Sequence, residues 1–98
     1  QEEVFGPVLC VIPYDDVDQA VAIANDSIFG LGGAVESDSR ERAMDVARRL
    51  RTGHVQLGVS IPNFNGGWGG YKQSGLGREW RAGLAEYTET KTIDWPAG

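Results

Sequence analysis

Residues 66–79 read Gly-Gly-Trp-Gly-Gly-Tyr-Lys-Gln-Ser-Gly-Leu-Gly-Arg-Glu. Six of these fourteen residues are Gly, the residue that tolerates positive φ and lets other backbone or a ligand come close. The stretch therefore reads as a shaped loop. It divides an alternating strand and helix pattern on its N-terminal side from a short helix and a Thr-rich segment on its C-terminal side, which makes it the natural place for a site.

Working back from the loop, residues 54–59 (His-Val-Gln-Leu-Gly-Val) read as a strand. Before it, Ala43, Met44, Val46, Ala47 and Leu50 make one helical face. Asp38 and Glu41 stand at the spacing of a capping box, and Gly53 reads as the C-terminal cap. Arg40, Arg42, Arg48, Arg49 and Arg51 gather on the opposite face or near the C-terminal end, where the helix dipole favours cations. Ala34 and Val35, led in by Gly30, Gly32 and Gly33, read as another strand. A first helix follows Asp15 or Asp16, with Val17, Ala20, Val21 and Ala24 at i, i+3, i+4, i+7 spacing, and ends at Asn25, Asp26 and Ser27. The apolar run 8–12 (Val-Leu-Cys-Val-Ile), between a Gly-Pro pair and Pro13, reads as a strand buried on both faces. The expectation is an α/β unit with parallel βαβαβ order. Beyond the loop, a short helix weakened by Gly83 spans 79–87, and 89–95 alternates as an edge strand that could serve as a docking surface.

Composition narrows the function classes. The chain has 98 residues, 41% apolar and 23% charged, as a globular domain would, and a formal net charge of -5, which does not attract nucleic acid. A single Cys forms no internal disulfide, so a reducing, cytoplasmic setting is expected. No apolar run is long enough for a membrane helix. The chain opens on Gln with no leader pattern, and the expectation is a piece of a longer protein.

Reactive groups are scarce. The glycines near Gly30 and Gly75 complete neither a dinucleotide fingerprint nor a P-loop, so their role is read as backbone shape. Cys10, inside the apolar run, reads as a small buried hydrophobe. His54 reads as structural or solvent-exposed, Glu2 and Glu3 read as hydrogen-bond acceptors, and no metal-ligand spacing is present.

Four stretches nevertheless resemble, in order and at matching spacing, the C-terminal motifs of the aldehyde dehydrogenase superfamily. They are Glu2-Glu3-Val4-Phe5-Gly6-Pro7, residues 25–35 with Phe29-Gly30-Leu31, residues 69–79, and Glu86-Tyr87-Thr88-Glu89-Thr90-Lys91-Thr92. The resemblance covers essentially the whole chain. It implies cofactor-binding roles for Glu3, on the nicotinamide-side ribose, and for Phe5 and Leu31, against the nicotinamide ring of NAD or NADP; core packing is the plain alternative for the two apolar residues. It implies that Trp68, where Phe is commoner, lines the aldehyde tunnel, with loop anchoring the alternative. Glu79 resembles a supporting carboxylate near the catalytic base, although a carboxylate at a helix N-terminus is favoured in any protein. Gly58 and Gly67 depart from the family pattern of Asn and Pro and leave substrate preference unread.

The parent reaction implied is thiolate attack on an aldehyde, hydride transfer to NAD(P)+ and hydrolysis of a thioester to the acid. The family's nucleophilic Cys and general base lie upstream of the motifs matched here, so the 98-residue piece alone is expected to be inactive. Residues 1–87 are expected to be part of the catalytic domain, and 88–98 the closing strand of an oligomerisation region. That strand implies a homo-oligomer, dimer or tetramer. The alternative from another class is a non-catalytic interaction module derived from the same fold.

Overall fold

Local signals account for the helices. Asp16 caps α1 (Val17–Asn25), its carboxylate accepting from the Gln19 N–H at 2.8 Å, and such a cap contributes about 1 kcal/mol. Ser39, not Asp38, caps α2 (Arg40–Arg49), accepting from the Arg42 N–H at 3.3 Å. Both residue types cap well, and Asp38 instead pairs with the Arg42 guanidinium on the exposed side. Arg49 reaches Asp18 at 2.6 Å and ties the two helices together. Asn25 reinforces this at the end of α1: its amide donates to the Arg49 carbonyl and its side-chain oxygen accepts from the Arg51 N–H.

The computed structural model describes residues 1–61 and 63–96. Two small sheets lie beside the helices. In one, β2 (Gly32–Val35) pairs in parallel with β3 (His54–Leu57), Gly32 facing His54 and Val35 facing Leu57, with α2 as the crossover. In the other, β1 (Phe29–Gly30) runs antiparallel to β4 (Tyr71–Lys72), which brings the Gly-rich loop back onto the start of the βαβ unit. α3 (Trp80–Gly83) runs into a 3₁₀ turn (Leu84–Tyr87), the short helix expected there. The architecture is α/β.

Four expectations are corrected. Residues 8–12 form no strand, and residues 89–95 form none either. Leu9, Val11, Ile93 and Trp95 are exposed, as is Cys10, which was read as buried. A two-sided buried strand takes its burial from neighbouring strands and helices, and the described residues cover neither segment. Of the full βαβαβ order, the structure holds the second half, β2–α2–β3. Positions 97 and 98 of the expected closing strand lie outside the described residues. Gly53 is not the cap of α2, whose last cap position is Leu50. It is instead where the turn before β3 meets the loop backbone, and a Cβ there would overlap the Gly69 carbonyl oxygen.

Only Val21 and Ala43 form a buried apolar core among the described residues. The radius of gyration is 18.0 Å, against about 13 Å for a compact chain of this length. The accessible surface is 8525 Å², against about 5,500 Å² for a folded monomer of this mass. Long apolar arms on either side of the βαβ unit make up the difference.

Candidate functional site

The Gly-rich loop is held at its middle and at its C-terminal end by long cationic side chains. Lys72, whose main chain sits at φ 55, donates from Nζ to the Asn25 and Ser27 carbonyls at 2.8 Å each. This pins β4 to the end of α1. Arg78 closes the C-terminal end, its Nη1 donating to the carbonyls of Gly70 (3.0 Å), Leu76 (3.2 Å) and Gly77 (2.8 Å). The Arg78 main-chain N–H lies 3.0 Å from both carboxylate oxygens of Glu86. Ser74 accepts from the Gly30 N–H at 3.0 Å. The guanidinium carbons of Arg51 and Arg78 stand 5.0 and 5.6 Å from the Tyr71 ring centroid, within cation–π range. With the loop shut in this way, Trp68 and Glu79 meet across its mouth through a reciprocal pair of main-chain hydrogen bonds, 3.4 Å from Trp68 N–H to Glu79 and 2.6 Å back.

Two clefts open beside this loop. One of about 330 Å³ is walled by Leu31, Trp68, Arg78, Glu79 and the glycines 69, 70, 75 and 77, with Glu86 and Tyr87 at one edge. The other, of about 410 Å³, is walled by Glu3, Phe29, Leu31, Gly32, Gln73 and Ser74. Leu31 belongs to both. The structure thus places Glu3 and Leu31 in one cleft and Leu31, Trp68 and Glu79 in the other, four of the five candidate residues. Phe5 is the one left out: it is 93% exposed, at φ 49, and touches neither cleft.

Trp68 stands in an aromatic row. Its ring centroid lies 5.2 Å from that of His54 and 5.4 Å from that of Trp80, the two indoles stacked at 27°, and Phe64 tilts onto Trp80 at 4.8 Å. His54, read from sequence as structural or exposed, is half-buried against this row. Reading residue types alone missed Lys72, Arg78 and Asn25. Their partners are main-chain carbonyls and N–H groups, which leave no mark in a sequence; the signal available was the pairing of Lys72 and Arg78 with flanking glycines whose carbonyls stay accessible. Among the described residues no cluster of three or more His, Cys, Asp or Glu could hold a metal ion, and no helix is long and apolar enough to cross a membrane.

The second cleft combines one carboxylate with polar and apolar side chains. A carboxylate accepts from two vicinal hydroxyls, Gln73 and Ser74 add side-chain polar groups, and Phe29 and Leu31 give apolar surface for a flat ring. Among the described residues neither glycine cluster opens a helix of useful length after a strand.

The family model for the aldehyde dehydrogenase family matches residues 1–93. The chain belongs to the aldehyde dehydrogenase family. Among curated aldehyde dehydrogenases, 3-succinoylsemialdehyde-pyridine dehydrogenase from a Pseudomonas species is 53% identical over 94 residues, which is 95% of this chain and 20% of the relative. A Mycobacterium tuberculosis aldehyde dehydrogenase complexed with NAD+ superposes with a TM-score of 0.91 at 40% identity, over 100% of this chain and 20% of the larger one. A mutant aldehyde dehydrogenase C from Pseudomonas syringae, complexed with NAD+ and octanal, gives a TM-score of 0.91 at 52% identity, over 95% of this chain and 19% of the other. The chain spans about a fifth of the length of the aldehyde dehydrogenases it matches.

Proposed function

We propose that this chain is the C-terminal fifth of an aldehyde dehydrogenase that oxidises an aldehyde to the carboxylic acid, with NAD+ as hydride acceptor. The observation that carries the reading is Leu31, which walls the cleft holding Glu3 and also the cleft holding Trp68 and Glu79. A ring seated against Leu31 would have its ribose side toward Glu3 and its reactive face toward the Trp68 side. Positioning of this kind is what a hydride transfer needs from the protein. The relatives that are complexes with NAD+ support the choice of cofactor.

In this reading Glu3 accepts hydrogen bonds from the ribose hydroxyls, Leu31 holds the ring, Trp68 lines the aldehyde side, and Glu79 supports the proton-handling groups. Phe5 joins the ring only when the N-terminal arm folds over the cleft. Residues 1–87 belong to the catalytic domain. Residues 88–98 pair as a strand at a subunit interface, and residues 8–12 pair within a longer sheet, which completes the βαβαβ order. The nucleophilic Cys and the general base come from outside these 98 residues.

The test is an aldehyde-dependent NADH absorbance assay on the full-length protein, run beside the 98-residue chain. Turnover by the long form alone is expected. Turnover by the short chain, or by neither, sinks the reading.

A further inference from the structure

Resting on that reading, we infer that Trp80 is a specificity-determining residue, which stacks on Trp68 and sets it as a flat indole wall favouring planar aromatic aldehydes over straight-chain ones. Trp80 contributes nothing to the cleft of about 330 Å³ that Trp68 lines. It sits behind that wall, its ring 5.4 Å from Trp68 and inclined by only 27°, while Phe64 backs it at 4.8 Å. His54 tilts onto Trp68 at 5.2 Å and 53°. The indole of Trp68 is thus clamped and cannot swing aside without breaking an aromatic contact.

The main chain supports a dedicated role for this residue. Trp80 lies at φ 62, a left-handed conformation that side-chain-bearing residues rarely adopt and a bulky one least of all. Glycine would relax that turn but would remove the stack. The reciprocal hydrogen bonds between Trp68 and Glu79 fix the spacing of the two indoles, because Trp80 follows Glu79 directly. An indole so supported lines the cleft as an apolar surface, on which a flat ring gains offset stacking that a flexible alkyl chain does not. Trp80 acts through Trp68 and touches no substrate, so it is a positioning residue.

The experiment uses the full-length enzyme with benzaldehyde and with hexanal, comparing wild type, Trp80→Leu and Trp80→Phe. Trp80→Leu is expected to raise the KM for benzaldehyde by roughly two- to tenfold. The KM for hexanal, the kcat for both, and the KM for NAD+ stay as in wild type. Trp80→Phe, which keeps a stackable ring, restores most of the benzaldehyde KM. Equal changes for both aldehydes, no change for either, or a Leu variant indistinguishable from the Phe variant overturns the inference. A wild-type enzyme that oxidises neither aldehyde, nor any other, overturns instead the functional reading beneath it. In that case quenching of indole fluorescence by benzaldehyde in wild type, and its loss in Trp80→Leu alone, still decides the stacking.

Discussion

Glu3 and Gly53 show two ways in which one residue governs the cleft region. Glu3 offers the carboxylate of the Leu31 cleft, and a charged hydrogen bond lost there costs about 1.5–3 kcal/mol. Glu3→Gln in the full-length enzyme is therefore expected to raise the KM for NAD+ by roughly ten- to a hundredfold while leaving the protein's melting temperature unchanged. An unchanged KM in a steady-state titration of NAD+ would remove Glu3 from the site. Gly53 acts by having no side chain. A Cβ would push into the Gly69 carbonyl, backbone that cannot step aside as a flexible side chain could, so Gly53→Ala is expected to lower stability by about 1–3 kcal/mol. Thermal unfolding of the full-length enzyme measures this, and a variant that melts with wild type would show that the two turns are free to separate.

Among the elements, the Gly-rich loop depends on Arg78 more than on its own hydrogen bonds. One guanidinium nitrogen lies within 3.2 Å of three carbonyls while the same planar group stands over the Tyr71 ring, a combination that a Lys ammonium does not reproduce. Arg78→Lys is expected to leave residues 66–78 open to limited proteolysis and to reduce turnover through Glu79, whose position follows Arg78 in the chain. A loop as resistant as wild type would show that the glycine conformations suffice.

The elements that were legible in sequence are those whose signals are local. Asp16 and the apolar spacing after it mark α1, and β3 is marked by its short run bounded by Gly53 and Gly58. Residues 8–12 misled because an apolar run states that burial is required without saying what supplies it. Gly53 misled because a helix cap and a close backbone contact call for the same residue. In the candidate site, the family motifs drew attention to Glu3, Leu31, Trp68 and Glu79, which line the two clefts. The Trp68–Trp80 stack was not legible, since it depends on the left-handed turn at Trp80.

For the whole molecule, the decisive comparison is between what the chain exposes and what it buries. Among the described residues, Val21 and Ala43 are a core too small to offset the conformational entropy of ordering them. Expressed alone, the chain is expected to bind a hydrophobic dye and to melt without a cooperative calorimetric transition. The full-length enzyme is expected to do neither. A sharp melt of the 98-residue chain would mean that the exposed arms find partners within it.

The arms have a meaning for a cell as well as for a test tube. Leu9, Val11, Ile93 and Trp95 stand exposed, and exposed apolar segments are what chaperones and proteases act upon. A chain that leaves these four side chains uncovered therefore carries, on its own surface, the features by which quality control selects its targets.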